Sequence, residues 1–209
     1  MKPITGMLLA ASLAMPFSAG ALTLDYKGFF DRMDKLYQPQ INKLKLVFYF
    51  NNREQGTPCR VLDGRILRHE RALPLLVGPD QQLLLPFDRD LRENAALIQL
   101  ELENEQHCDF AMQIQAEVLE QKSFTADELA EIRDQMNALM RSYAGVGFGW
   151  LQPEVKGVTL TLDEGTQVSV KGKGSVPPVV DGKLLLTPEQ LGDATLMLSA
   201  APHSVSPLM

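Results

Sequence analysis

From Cys108 to Val118 the apolar side chains keep one parity: Cys108, Phe110, Met112, Ile114, Ala116 and Val118 share a face, opposite Asp109, Gln113, Gln115 and Glu117. A period of two is the signature of a strand buried on one side, because successive side chains point to opposite faces of a sheet. A helix would scatter these residues around its axis, so this stretch commits the chain to β structure. It also puts Cys108 on the buried face, where a structural bridge would sit.

The same period recurs elsewhere. Leu44, Leu46, Phe48 and Phe50 oppose Lys43, Lys45, Val47 and Tyr49, which predicts a strand with one buried face. After Ala96, residues Ile98, Leu100 and Leu102 oppose Gln99, Glu101 and Glu103; the polar turn Asn104 to His107 then predicts a hairpin with the Cys108 strand. Val158, Leu160 and Leu162 alternate with threonines, Glu164-Gly165 reads as a turn, and Val168 and Val170 alternate again, a second expected hairpin. "RILRHERALPLLV" is ambiguous, but Pro74 and Gly78-Pro79 break any long helix and favour strand.

Two segments have helical spacing. Tyr26, Phe29, Phe30, Met33, Leu36 and Tyr37 form one stripe, which predicts about three turns ending before Pro39. In "SFTADELAEIRDQMNALMRSYAG", Thr125 and Glu128 make a capping box, Leu129, Ile132, Met136, Leu139, Met140 and Tyr143 make the stripe, and Gly145 is the expected stop. The expected fold class is therefore α+β: mostly antiparallel β in sandwich-like sheets, two amphipathic helices and one intrachain disulfide.

One device occurs twice. "LLLPFDRDLRENAALIQLELE" begins at Leu83 and "LLLTPEQLGDATLMLS" at Leu184. Each reads as a short leucine strand, a turn with one leucine (Leu91, Leu191) pointing inward, and a second strand. Duplication of a small β unit and convergence on a common turn both explain the echo. The match spans about sixteen residues with few identities beyond leucine, which tilts the balance slightly to convergence. The end of the chain, Pro202 to Met209, reads as an edge segment or a frayed end.

"MKPITGMLLAASLAMPFSAGA" has the form of an export signal: Lys2, an apolar run from Met7 to Phe17, and the small-residue motif Ala19-Gly20-Ala21. Residues 1–21 are expected to be removed, and no later apolar run reaches the ~18 residues a membrane span needs. The expected organisation is a signal peptide 1–21, an N-terminal helix with a disulfide-linked β domain over 22–122, and an amphipathic helix with a smaller β-rich half over 123–209. Without Lys2 the mature chain carries 19 cations against 26 anions. That surface repels phosphate backbones, and there is no basic run or stripe, so nucleic acid is not an expected partner.

The mature chain has two cysteines, Cys59 and Cys108. In an exported protein such a pair reads as a disulfide. Closing a loop of about 50 residues would contribute ~4 kcal/mol in the chain-entropy picture. Two free thiols are the competing reading, but there is no C-x-x-C and no His at ligand spacing from Cys59.

"LDYKGFFDRM" at Leu24–Met33, then Cys59, the "LPFD" turn at Leu85–Asp88, Leu91 and Cys108 resemble a set of small exported proteins of Gram-negative bacteria. These are grouped as the domain-of-unknown-function family numbered 2987. The resemblance implies a periplasmic protein with Cys59 and Cys108 as its cysteine pair. It brings no catalytic residue.

Chemistry-bearing constellations are sparse. The three histidines, His69, His107 and His203, do not form a triad pattern, and G-x-S-x-G is absent. His203 and Ser204 fall near the C-terminus, a mobile place for a base. His69-Glu70 and His107 with Glu105 or Asp109 read better as solvated loop residues than as a metal site. Asp88, Asp90 and Glu93 lack the ligand count of a calcium loop. Glu101 and Glu103 sit on one exposed strand face, and "KGKGS" lacks the context of a phosphate loop. No catalytic residue, metal or cofactor is expected.

In "GVGFGWLQP", Phe148 and Trp150 alternate with glycines. Core completion beside a neighbouring helix explains this stretch more economically; a binding platform for a sugar or an apolar peptide is the functional alternative. The expected function is a non-catalytic binding or interaction module of the cell envelope, with an envelope protein or glycan as partner and Phe148 and Trp150 as the candidate surface. The alternatives are a hydrolase of envelope material and an assembly factor that offers an exposed strand edge.

Overall fold

The computed structural model describes residues 21–118, 120–144 and 151–209. Its elements run in two successive series. The first is β1 (Leu22–Asp25), α1 (Tyr26–Met33), β2 (Leu44–Asn52), β3 (Val61–Arg68), β4 (Arg71–Pro74), β5 (Leu76–Val77), β6 (Leu83–Leu84), α2 (Arg89–Glu93), β7 (Leu97–Leu102) and β8 (Cys108–Ala116). The second is β9 (Ser123–Thr125), α3 (Ala126–Ala144), β10 (Gly157–Thr161), β11 (Val168–Lys171), β12 (Lys183–Leu186), α4 (Pro188–Leu191), β13 (Thr195–Leu198) and β14 (Ser204–Leu208).

Among the described residues all ladders are antiparallel, and the chain is α+β with mostly antiparallel strands in several sheets. In the first series β7 lies between β1 and β3, with β4 outside β3, and β2 pairs with β8. In the second series β13 lies between β9 and β11, and β10 pairs with β14. The two series therefore share these pairings, each starting with a short strand that runs straight into a helix. This correspondence extends far beyond the sixteen echoed residues.

The echoed device is the joint of each series. β6 leads through α2 into β7, and β12 leads through α4 into β13. Leu91 and Leu191 are sealed inside, at 1% and 0% exposure. In both copies the next buried alanine donates its N–H to that leucine's carbonyl at 3.0 Å, Ala96 to Leu91 and Ala194 to Leu191. Asp88 caps α2 by accepting from the N–H groups of Asp90 and Leu91, and Thr187 with Gln190 forms a capping box on α4. Both expected polar turns are thus short helices, so the described residues hold four helices rather than two.

Two hydrophobic clusters result. One gathers Tyr26, Phe29, Phe30, Ile66, Leu91, Ile98 and Leu100 between α1 and the β1–β7–β3 sheet. The other packs Leu129, Ile132, Met136 and Leu139 of α3 against Val158, Leu160, Leu184, Leu191 and Leu196. Leu46 of β2 packs against both clusters, so the β2–β8 pair joins them. The α3 capping box forms as expected: Glu128 accepts from the Thr125 N–H at 2.8 Å, and the Glu128 N–H donates to the Thr125 hydroxyl at 3.3 Å.

Neither expected hairpin forms. β7 leaves through Asn104, which is left-handed (φ 56), and a 3-10 turn at Glu105–His107 carries the chain into another sheet. β8 then pairs over its whole length with β2, from Leu44 opposite Ala116 to Asn52 opposite Cys108. β10 and β11 likewise separate, because the turn in which Thr166 donates to Asp163 lifts the chain from one layer to the other. The expected one-sided burial of β2 also fails at Val47, which is buried on the second face. On β8 the expected apolar face is open at Phe110, 42% exposed. The first helix tightens to 3-10 at Asp34–Leu36, which turns Tyr37 out to 67% exposure. Of the two forms expected for Pro202 to Met209 the edge segment holds: β14 is the end strand of its sheet, paired with β10, and it buries Val205 and Ser206.

Candidate binding surface

The disulfide ties the entry to β3 to the start of β8: Cys59 and Cys108 are bonded at an S–S distance of 2.09 Å. Beside it, Arg53 grips Asp109 with two hydrogen bonds, at 2.9 and 2.6 Å, and the guanidinium holds the Asp109 carboxyl below the usual carboxylate range.

The "LPFD" turn is built by the opening helix. Tyr26 buries its ring in the first cluster and donates its hydroxyl to the Pro86 carbonyl, while the Asp88 N–H donates to that hydroxyl at 3.0 Å. Burial pushes the Tyr26 hydroxyl above its ordinary pKa. Phe87 is sandwiched between Phe30, at a ring separation of 4.4 Å, and Tyr37, at 4.2 Å. Arg92 lies 5.5 Å over the Phe30 ring and donates to Asp31 at 2.6 Å. The turn is therefore a structural anchor, fixed by aromatic stacking and two hydrogen bonds.

That anchor sets one wall of an apolar groove of about 520 Å³. Leu46 and Phe48 of β2 form its floor with Leu83 and Ile66, and Leu73, Leu76 and Leu84 form its rim. The rim is open to solvent: Leu76 is 64% exposed, and Leu73, Val77 and Leu84 are also exposed. Single exposed leucines are ordinary, but three exposed leucines around one groove, with exposed Val77 next to Leu76, are an apolar patch. The two series differ here. In the second, β12 pairs with β10, from Val158 opposite Leu186 to Thr161 opposite Lys183. Gly157 allows that approach, since a Cβ there would lie 2.4 Å from the Leu186 carbonyl oxygen. In the first, β6 pairs with β5 instead, and no ladder joins it to β2. The groove lies where the second copy is closed.

β4 is the end strand of its sheet. The Leu75 N–H donates to the Gly64 carbonyl at 3.0 Å. The alternation of an antiparallel ladder then turns the Ala72 N–H outward, toward the open edge.

Sequence-predicted site residues fare unevenly. Phe148 and Trp150, with Gly145, lie outside the described residues. His69 contacts Asn94 at 3.2 Å and His107 pairs with Glu54 at 3.3 Å, so the two do not converge. His203 is not on a mobile tail: its N–H donates to the Thr161 carbonyl at 2.8 Å, and its ring pairs with Asp80 of the first series. The Asp88 carboxylate accepts the Asp90 N–H at 2.8 Å as the cap of α2. Among the described residues no group of three or more His, Cys, Asp or Glu is placed to hold a metal, and no helix is long and apolar enough to cross a membrane.

A family model described as "Protein of unknown function (DUF2987)" matches residues 18–162. The chain belongs to this family. Comparison with curated proteins and with solved structures found no match. The DUF2987 span takes in the Tyr26 anchor, the "LPFD" turn, both cysteines and α3, and it ends just after β10. The apolar groove lies wholly within it.

Proposed function

We propose that this DUF2987 protein is an exported, non-catalytic binding module of the cell envelope. In this reading its ligand is an extended apolar segment of an envelope protein, laid in the groove between β2 and the Leu73, Leu76 and Leu84 rim. One observation carries the reading: in the second series β12 forms a ladder with β10, whereas its counterpart β6 lies against β2 without one and leaves the rim leucines exposed. Strand addition draws main-chain hydrogen bonds from an open edge and specificity from pockets for side chains, and β4 offers such an edge beside the groove. The exported setting is supported by the leader pattern and by a disulfide, which persists in oxidising compartments.

The test uses a peptide with the sequence of residues 182–189, the strand that closes the second copy. Isothermal titration should give a dissociation constant on the order of 10–100 µM, and Leu76→Asp on the rim should weaken it at least ~10-fold. Equal affinity in both proteins, or no heat at ~1 mM peptide, contradicts the reading.

A further inference from the structure

We propose that the polar cleft between the two series is a second binding site, for a single neutral, hydroxyl-rich ligand of the size of one sugar ring. This site is independent of the apolar groove and of the function assigned to it.

The cleft lies on the face of the β2–β8 pair opposite Leu46 and Phe48. Its volume is about 210 Å³. Its floor is Val47, Tyr49 and Asn51 of β2 with Gln113 and Gln115 of β8. Asp80 and Gln82 of the first series and His203 and Ser204 of the second close its sides, so both series contribute to it.

Unspent hydrogen-bonding capacity marks the site. Gln115 is only 6% exposed, yet its one side-chain bond is from its amide nitrogen to the Gln113 carbonyl oxygen, at 2.8 Å. The Gln115 carbonyl oxygen and the Gln113 amide nitrogen have no side-chain partner among the described residues. The same holds for the side chains of Tyr49, Asn51, Gln82 and Ser204. Other enclosed amides are fully engaged: Gln135 accepts from the N–H groups of Asn42 and Lys43, and Asn137 binds both the N–H and the carbonyl of Val155. These free polar atoms face the open cleft rather than a sealed interior, so a guest's hydroxyls can take the place of water on them.

The lining selects the guest's chemistry. Each glutamine or asparagine offers both a donor and an acceptor, which matches hydroxyl groups that are also both. Tyr49 adds a ring and a hydroxyl, the amphipathic combination that suits a sugar ring with apolar C–H faces. Asp80, occupied by His203, disfavours an anionic guest, and among the described residues no unpaired cation lines the cleft to attract one.

The test is a titration of the mature, disulfide-bonded protein with free glucose, galactose, mannose and N-acetylglucosamine, each to about 10 mM, followed by NMR of side-chain amides. At least one sugar should shift the Gln113 and Gln115 amide signals saturably. Gln113→Ala should weaken that sugar at least ~10-fold, and Tyr49→Phe, which keeps the ring, about three- to tenfold. Unchanged spectra with all four sugars overturn the proposal. So do shifts produced by trialanine and by no sugar, which would make the guest a peptide, and so does unchanged affinity in both variants.

Discussion

The hydroxyl of Tyr26 accepts the backbone N–H of Asp88 at 3.0 Å across 62 residues of chain. Tyr26 stands in the opening helix and Asp88 closes the "LPFD" turn, so one phenol joins the two stretches that carry the family resemblance. Tyr26→Phe keeps the ring and removes the bonds to Asp88 and Pro86. It should cost about 1–3 kcal/mol, the penalty for stranding enclosed backbone groups, as measured by urea unfolding. An unchanged midpoint would mean water replaces the hydroxyl without loss.

Alkaline pH should unfold the protein earlier than its charge alone implies. Burial raises the pKa of both Tyr26 and Tyr143, and Tyr143 donates to the Arg32 carbonyl at 3.0 Å. A raised pKa gives stability that is whole below the unfolded tyrosine value of about 10 and is lost as pH rises toward the folded values. Stability should therefore fall above pH ~10 in the native protein, and fall less steeply in the Tyr26→Phe, Tyr143→Phe double variant. Equal slopes would contradict this origin.

The disulfide spans 49 residues and should contribute ~4 kcal/mol. The Cys59→Ala, Cys108→Ala variant should lose most of that in denaturant unfolding under non-reducing conditions. A loss under ~1 kcal/mol would mean the unfolded chain is already held compact near these residues.

Leu91 and Leu191 perform one task in two clusters. Leu91→Ala and Leu191→Ala should each cost about 2–5 kcal/mol in chemical denaturation, since both plugs are sealed and leave cavities. A small loss at only one position would break the equivalence of the two series.

How much of this was readable beforehand follows from the range of each interaction. The alternation at Cys108–Ala116 and the stripe of α3 are local patterns, and both elements form where they are expected. The partner of β8 is not local: β2 lies some 60 residues away in sequence, and period two specifies a face without naming the strand across from it. Both missed hairpins have this cause. The leucine echo was visible, but its depth was not, because β1·β7 and β9·β13 share pairing without sharing sequence. The groove was harder still. Leu73, Leu76 and Leu84 read as ordinary strand leucines, and only the failure of β6 to pair with β2 leaves them open. Gln113 and Gln115 carry the ordinary signal of a solvated strand face; Asp80 and His203, which roof them, come from the far ends of the fold.

Gly157→Ala tests the closed copy. The added methyl would meet the Leu186 carbonyl, so the β10–β12 ladder should loosen, and hydrogen exchange at the strand amides of β10 and β12 should accelerate with little change at β7. Unaltered exchange there would remove the close approach as the reason the second copy is shut.

The groove is tested most directly by hydrogen exchange at Ala72 with and without the 182–189 peptide. Ala72 turns its N–H to the open edge of β4, so a strand added along the rim must cover it. Exchange at Ala72 should slow at least ~10-fold on saturation with peptide, together with shifts of the Leu73, Leu76 and Leu84 methyl signals. Exchange at Ala72 that stays unchanged while the peptide binds elsewhere, or does not bind at all, would contradict it.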